Sequence, residues 1–249
     1  MDWGEEKVRH HTSGPGGAVG LLLIGQTTSL VGDWLLRVAL PLHVLSVTGS
    51  AASTALTFAA ATLPSILFGP FAGPVVELRD HRATMVGCDL VRAGVVGVLV
   101  VGPASDRPWL IYLVVATQAS VSELFAPART AIVPRILGEP DALARANSSL
   151  ALGNEVALLL GPALGGLVYQ SFGLRVAAAL DVASYLVSAV ATVRIPGSGP
   201  ESDSRPAKRA PVLRAMTLGV KLVAADRCLG PLMVVSLVLF LGAGMLGPL

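Results

Sequence analysis

The sequence predicts an all-α membrane protein, with a six-helix bundle built from two inverted three-helix repeats and a seventh transmembrane helix after it. Hydrophobic residues make up 53% of the chain and charged residues only 14%, against about 25% charged in soluble domains. Apolar runs of about 20 residues, the length that crosses a bilayer, recur along the chain. A pattern in the second and third runs also returns 92 residues later. The net charge of +2 gives no indication of nucleic-acid binding.

The apolar runs are separated by polar connectors of unequal length. The runs cover residues 18–47, 51–76, 83–101, 109–132, 144–169, 174–193 and 229–249. Connectors 48–50 and 171–173 are short enough to predict tight turns. We divide the chain into an N-terminal tail (1–17), a six-helix bundle (18–194), a linker with an amphipathic surface helix (195–228) and the first helix of a second bundle (229–249). The adjacent His10 and His11 are assigned to the tail rather than to a metal site.

The distribution of Lys and Arg predicts the orientation in the membrane. One set of polar segments carries most of these residues, namely Lys7, Arg9, Arg79, Arg82, Arg135, Arg145, Arg194, Arg205, Lys208, Arg209, Arg214, Lys221 and Arg227. The opposite connectors carry Arg107 and Arg175. We therefore expect a multi-pass protein of the cell membrane, with the tail and the linker on the cytoplasmic side.

The repeat relates the second and third spans to the fifth and sixth. At an offset of 92, Gly69-Pro70 falls on Gly161-Pro162, Gly73 on Gly165, Asp89 on Asp181, Val95 on Val187 and Val98 on Val190. Because each copy contains three spans, the second copy must lie inverted in the bilayer. Inverted repeats are typical of transporters, whose site lies where the repeats meet.

Ionisable residues inside the spans are the main candidates for function. Each costs about 2.5–3.5 kcal/mol on insertion scales, so such residues usually face a cavity or a partner. They are Asp33 and Arg37 in the first span, Asp89 and Arg92 in the third, Glu123 and Arg129 in the fourth, Glu155 in the fifth and Asp181 in the sixth. Gln26 and Gln118 add uncharged polar groups to the first and fourth spans.

Two carboxylates lie about 20 Å into their helices, near the middle of the membrane. Asp33 and Arg37 are four residues apart, so they either form a structural ion pair or let Asp33 exchange a proton next to a cation. Glu123 has no basic residue at helical spacing, and it either carries a proton or packs against Arg37. Asp89 and Arg92 are interpreted as a structural pair, and the roles of Glu155 and Asp181 stay open.

Small residues and charges mark two further elements. Gly69 and Gly73 lead into a charged turn, and together with Glu77, Arg79, Asp80, Arg82, Asp89, Arg92 and Arg129 they are interpreted as a conformational latch. Gly161, Pro162, Gly165 and Gly166 predict either dense helix packing or a kink that permits rocking. No His/Cys metal spacing, phosphate loop or nucleophile–base set occurs, so we expect no enzyme, metal or cofactor.

These motifs resemble the major facilitator superfamily. Residues 73–82 are similar to its signature between spans two and three, with Glu77 for the usual Asp, Leu78 for an Arg and His81 for another basic residue. Ala157, Gly161-Pro162 and Gly165-Gly166 resemble its antiporter motif in span five. The stretches LVGDWLLRVALPLHVLSVTGS and FAPARTAIVPR are similar to bacterial enterobactin-exporter-like and macrolide-efflux-like permeases.

The resemblance implies two six-helix bundles around a cavity lined by spans one, four, seven and ten, and proton-driven export by alternating access. The chain would supply the first bundle and one further span, so we expect a truncated transporter that needs a C-terminal half as partner. The expected substrates are protons and a small molecule of the drug, macrolide or siderophore kind. The alternative is a non-transporting membrane protein, such as an inactive fragment, a sensor or a scaffold.

Overall fold

Long apolar helices make up the described part of the protein. The computed structural model describes residues 15–77, 79–102, 107–137 and 140–195, together with residues 231 and 235. The helices are α1 (Pro15–Thr48), α2 (Ala51–Glu77), α3 (His81–Val101), α4 (Pro108–Leu137) and α5 (Pro140–Arg194). Each is long and apolar enough to cross a membrane, and the described ranges contain no strand, as an all-α membrane protein requires. The expected tail, linker and seventh span fall almost entirely outside the described residues.

Helix α5 contains both the fifth and the sixth predicted spans. Its 55 residues would extend about 80 Å, more than twice the apolar thickness of a bilayer. Gly173 interrupts it with φ 78° and ψ −179°, a conformation that essentially only glycine adopts. We call residues 140–172 the first arm of α5 and residues 174–194 the second arm. The turn predicted at 171–173 therefore takes the form of one non-helical glycine.

Contacts with α1 show that the two arms run in opposite directions. Along the first arm, Gly153, Gly161 and Gly165 lie against Thr27, Trp34 and Leu35, so both numbers rise together. Along the second arm, Ser184 lies against Gly32 and Ser188 against Gly25, so one number falls as the other rises. The chain thus reverses at Gly173, and α1 packs against both arms.

Turn and cap residues set the ends of the shorter helices. Gly49 has φ 64°, and its N–H donates to the carbonyl oxygen of Leu45 at 2.8 Å, which closes α1 in the usual glycine-cap manner. The Ser50 hydroxyl then accepts from the N–H of Ser53 at 3.3 Å at the start of α2. The Asp80 carboxylate caps α3 by accepting from the N–H of Ala83 at 3.0 Å.

The second arm of α5 shows the polarity of a membrane helix in a bundle. Between its two ends, polar side chains recur every three or four residues and are buried: Asp181, Ser184, Tyr185, Ser188 and Thr192. Its large aliphatic side chains are exposed on the other faces, for example Leu186, Val187 and Val190. In lipid the exposed face meets hydrocarbon, so the polar stripe must find its partners inside the bundle.

The core consists of two apolar clusters with polar side chains between them. One cluster includes Leu36 and Val44 of α1, Val96 of α3, Ile111 of α4 and Ala177 of α5. The other includes Leu22 of α1, Met85 of α3, Ile132 of α4 and Ile195. Every one of these helices passes through the region between the clusters. A layer of polar groups at the middle of the bundle is therefore shared by α1, α3, α4 and α5.

Candidate functional site

The polar layer is the candidate site. It consists of Asp33 from α1, Asp89 and Arg92 from α3, Gln118 and Ser122 from α4, and Asp181, Ser184 and Tyr185 from α5. Three carboxyl groups in it accompany one guanidinium group, and Asp89, Arg92 and Asp181 are no more than 3% exposed. Were all three carboxyl groups ionised, the layer would carry an excess of negative charge in the apolar middle of the membrane.

Asp33 is bound by uncharged donors from two other helices. The phenol of Tyr185 donates a hydrogen bond to Asp33 Oδ1. Gln118 Nε2 donates to the same Oδ1 at 3.2 Å and to the Tyr185 hydroxyl oxygen at 2.5 Å. One carboxylate oxygen thus connects α1, α4 and the second arm of α5.

The ion pair between Asp89 and Arg92 lies inside the polar layer. Their side chains are 0% and 3% exposed, and the pair joins positions three apart on α3. The Arg92 guanidinium also lies over the rings of Phe125 and Tyr185, at 4.4 and 4.6 Å from the ring centroids. Favourable contact with two aromatic faces and a carboxylate lets a cation stay in this position. The predicted pairing is confirmed, but its place is in the layer with Asp33 and not at the turn of residues 79–82.

Asp181 lies at a tight contact between α1 and the second arm of α5. A Cβ atom added to Gly32 would lie 2.6 Å from Asp181 Oδ1, so glycine is needed for this approach. The Ser184 hydroxyl is 3.4 Å from the same oxygen. Asp181 Oδ2 is buried without a hydrogen-bond partner among the described residues. The side chain left open by sequence reasoning is therefore fully enclosed next to Asp33.

The structure contradicts a pairing of Arg37 with either candidate carboxylate. Arg37 is exposed, and its guanidinium lies 5.2 Å from the ring centroid of Trp34. Within the described ranges, Arg92 forms an ion pair with Asp89, and Arg37 forms no ion pair. The reason is that Asp33 faces the bundle interior, where it accepts hydrogen bonds from Tyr185 and Gln118, whereas Arg37, one turn further along α1, points outward.

Glu123 belongs to a separate contact between α2 and α4. Ser65 Oγ donates to Glu123 Oε1 at 2.5 Å. A Cβ atom on Gly69 would lie 3.2 Å from Glu123 Oε2, so Gly69 leaves room for the carboxylate. Glu123 is five residues after Gln118, about half a turn away around α4, which explains why the two side chains face different helices.

Arg129 and Gln26 meet at one end of the bundle. Arg129 Nη1 donates to Gln26 Oε1 at 3.4 Å. A cleft of about 360 Å³ lies beside them, with Arg129, Asn147 and Asn154 among its polar lining residues. No described carboxylate forms an ion pair with Arg129. Arg129, assigned by sequence to the latch, is therefore placed against a candidate cavity residue of α1.

In the turn between α2 and α3, two charged side chains form hydrogen bonds and two others are exposed. Asp80 is the N-cap of α3, and Arg82 donates to the backbone carbonyl of Val193 at the end of the second arm of α5. Glu77 and Arg79 are exposed. Gly73 has open space around its Cα, so in the described structure it is not the close helix contact that the sequence predicts.

The glycines of the first arm serve close packing against α1. A Cβ atom on Gly161 would lie 2.8 Å from Trp34 Cγ, and one on Gly165 would lie 2.9 Å from the carbonyl oxygen of Leu35. Gly166 has open space. The backbone keeps helical φ and ψ through Pro162, since Gly173 is the residue that departs from them. The contacts of Gly161 and Gly165 support the dense-packing alternative.

Sequence reasoning missed Tyr185 and overrated Glu155. The Glu155 side chain is exposed and forms no hydrogen bond or ion pair with another described residue. Tyr185 is 0% exposed and contacts three helices. The available signal was the spacing of Asp181, Ser184, Tyr185 and Ser188, which form a polar stripe in an otherwise apolar span.

The match to a known family begins within α1 and extends over all of the other helices described above. The sequence profile described as Major Facilitator Superfamily matches residues 22–249. The chain belongs to the Major Facilitator Superfamily. It is therefore a multi-pass membrane protein of a transporter family, and the expectation that it is not an enzyme is confirmed on that ground. No solved structure matches the chain.

Its relatives include proteins named for efflux. Macrolide efflux protein A of Streptococcus pyogenes is 29% identical over 184 residues, which cover 72% of this chain and 45% of that protein. Multidrug efflux pump Tap of Mycobacterium tuberculosis is 30% identical over 201 residues, which cover 76% of this chain and 48% of that protein. The chain thus spans about half the length of the curated relatives that it matches.

Proposed function

We propose that this chain is one bundle of a proton-coupled exporter of small molecules that works by alternating access. The polar layer is the observation that carries the proposal, because it places three carboxyl groups and one guanidinium in the apolar middle of the bundle. Ionised carboxyl groups in such a place are unfavourable, and proton uptake relieves the excess negative charge. Family membership and the names of the relatives support export of drug-like or macrolide-like molecules.

Asp33 is the proposed site of proton exchange. It is only partly buried, so water in a transport cavity could reach it, yet it receives hydrogen bonds from Tyr185 and Gln118. These donors stabilise its carboxylate, and protonation weakens both contacts because they then lose a charged acceptor. A proton on Asp33 would thereby loosen α1 from α4 and from the second arm of α5.

Glu123 is proposed as a second carboxyl group that responds to protons, at the contact between α2 and α4. Its hydrogen bond with Ser65 and its approach to Gly69 hold the two helices together. Protonation would weaken this contact in the same way. Glu155 is not retained in the mechanism, because it is exposed and lies outside both carboxylate contacts.

The orientation and the partner are part of the same proposal. The distribution of basic residues supports a cytoplasmic location for the N-terminus and for the turn between α2 and α3. Arg82, which joins the start of α3 to the end of α5, would keep these helix ends together as a latch. A transport cavity needs a second wall, and we propose that a second bundle docks on this one to form it.

Efflux assays on carboxyl variants test the proposal. Cells that produce the transporter with its second bundle are loaded with a fluorescent dye or a macrolide, and efflux is followed with and without a protonophore. We expect Asp33→Asn and Glu123→Gln each to reduce proton-driven efflux at least about tenfold, which corresponds to about 1.4 kcal/mol. Glu155→Gln is the matched control, and its efflux should stay within about twofold of the parent protein.

Two results would contradict this function. Intact efflux in both Asp33→Asn and Glu123→Gln would remove the proposed proton sites. Absence of any efflux by the parent protein, at normal abundance in the membrane and with its second bundle present, would instead favour a sensor or scaffold. A siderophore and several dyes belong in the substrate panel, since the polar layer does not select among them.

A further inference from the structure

Tyr185 contacts side chains of three other helices in the layer. It is 0% exposed on the second arm of α5. Its hydroxyl donates to Asp33 of α1 and accepts from Gln118 of α4 at 2.5 Å, and its ring lies 4.6 Å from the Arg92 guanidinium of α3. One side chain therefore touches the proposed proton site and the buried ion pair at the same time.

We propose that Tyr185 is the positioning residue that orients Asp33 and transmits its protonation state to the ion pair of Arg92 and Asp89. The inference rests on the proposed function, in which Asp33 exchanges a proton. It assigns to the phenol hydroxyl a role that the packing of an aromatic ring alone would not supply. Tyr185 does not itself gain or lose the transported proton in this scheme.

The direction of the hydrogen bonds gives the first step. The Gln118 amide hydrogen is directed to the phenol oxygen, so the phenol hydrogen is left to donate to Asp33. An ionised Asp33 accepts both this hydrogen and one from Gln118. Protonation replaces a charge-assisted hydrogen bond with a neutral one of about half the strength, so the hydroxyl of Tyr185 is held less firmly.

The ring of Tyr185 carries the second step. Arg92 lies between this ring and that of Phe125, and it is paired with Asp89. When the hydrogen bond from the Tyr185 hydroxyl to Asp33 weakens, the Tyr185 ring can shift, and this ring stabilises the buried Arg92 cation. In this way a proton on α1 alters a contact between α3 and α5 that Asp33 does not itself form.

Several titratable or charged groups surround Asp33, and each of them can affect its protonation. From α3 it is faced by Asp89 and Arg92, and from α5 by Asp181 and Tyr185. Helix α4 presents the uncharged Gln118, and on α1 itself the nearest charge is the exposed Arg37. Replacing Tyr185 by Phe leaves all of these charges in place and removes one hydrogen-bond donor to Asp33.

The test compares two Tyr→Phe variants of the full chain. Tyr185→Phe keeps the ring over Arg92 and removes the hydroxyl. Tyr112→Phe is the control, because its hydroxyl donates at 2.9 Å to the backbone carbonyl oxygen of Ser53, outside the polar layer. The purified proteins in lipid nanodiscs are titrated by infrared spectroscopy, and the protonated-carboxyl band that is missing in Asp33→Asn reports on Asp33.

We expect Tyr185→Phe to raise the midpoint of the Asp33 band by about one pH unit, because the ionised carboxylate loses a donor that stabilises it. The pH profile of efflux should move in the same direction. Tyr112→Phe should shift neither measurement.

The outcomes separate this inference from the proposed function. An unchanged Asp33 midpoint in Tyr185→Phe, or an equal shift in Tyr112→Phe, would overturn the role of Tyr185. Absence of an Asp33 band that titrates would do the same, since there would be no protonation state to transmit. Normal proton-driven efflux in Asp33→Asn and Glu123→Gln would instead overturn the proposed function, while the infrared titration would still decide whether Tyr185 positions Asp33.

Discussion

The neighbouring glycines Gly165 and Gly166 offer a sharp test of how α1 packs on α5. A Cβ atom on Gly165 would lie 2.9 Å from the carbonyl oxygen and 3.1 Å from the Cα of Leu35. Both obstacles are backbone atoms of α1, so a rotamer change cannot remove the clash. A Cβ atom on Gly166 would meet nothing within 4 Å. The two Gly→Ala substitutions therefore differ in the contacts that the added methyl group makes and in little else.

The expected magnitudes follow from two terms. Replacing Gly by Ala inside a helix stabilises it by about 0.5–1 kcal/mol, and this term is the same for both variants. Overpacking at a close contact costs about 1–3 kcal/mol, and it applies to Gly165→Ala alone. We expect Gly165→Ala to be about 1–3 kcal/mol less stable than Gly166→Ala. At about 2–4 °C per kcal/mol, the midpoints of thermal unfolding should differ by about 2–12 °C.

The buried thiol of Cys88 provides the assay. A dye that becomes fluorescent on reaction with thiols labels Cys88 as the bundle unfolds, and a Cys228→Ser background makes Cys88 the sole reporter. The parent protein and both variants are heated side by side in the same detergent. If Gly165→Ala is as stable as Gly166→Ala, α1 does not lie over Gly165 as described.

The remaining predictions concern the ion pair and the orientation. Asp89→Asn leaves Arg92 buried without a carboxylate partner and should destabilise the bundle by about 3–5 kcal/mol in the same thermal assay. Adding Arg92→Gln to this variant should recover part of the lost stability, because the unpaired charge is then removed. A double variant no more stable than Asp89→Asn alone would argue against the pair. In a background without cysteine, Arg79→Cys should react with a membrane-impermeant thiol reagent in inside-out vesicles and Arg107→Cys in intact cells. The reverse pattern would invert the proposed topology.

The sequence predicted the helices well because hydropathy and turn chemistry determine them locally. The short connectors at Gly49 and Gly173 were visible as turn signals, and both glycines have positive φ. What hydropathy could not show is that the fifth and sixth spans are joined by a single non-helical residue, so that helix α5 continues to either side of it.

The site was predicted in part, and the difference lies in long-range contacts. Asp33, Gln118, Asp89, Arg92 and Asp181 were identified because polar residues are rare in apolar spans. Their partners could not be read from spacing along one helix. The expected pair of Asp33 and Arg37 was wrong, because Tyr185 reaches Asp33 from 152 positions away along the chain.

The close packing between α1 and both arms of α5, at glycines on either side, restricts where the bundle can move. Trp34 and Leu35 are pressed against one arm, and Gly25 and Gly32 against the other, with no room for an added methyl group. Because Gly165 meets backbone atoms of Leu35, α1 and the first arm of α5 should move together when the bundle rearranges. Rearrangement would then concentrate at α2. This helix has a broad exposed surface that carries Phe58, Ile66 and Phe68, and its contacts with α4 include the hydrogen bond to the single carboxylate of Glu123.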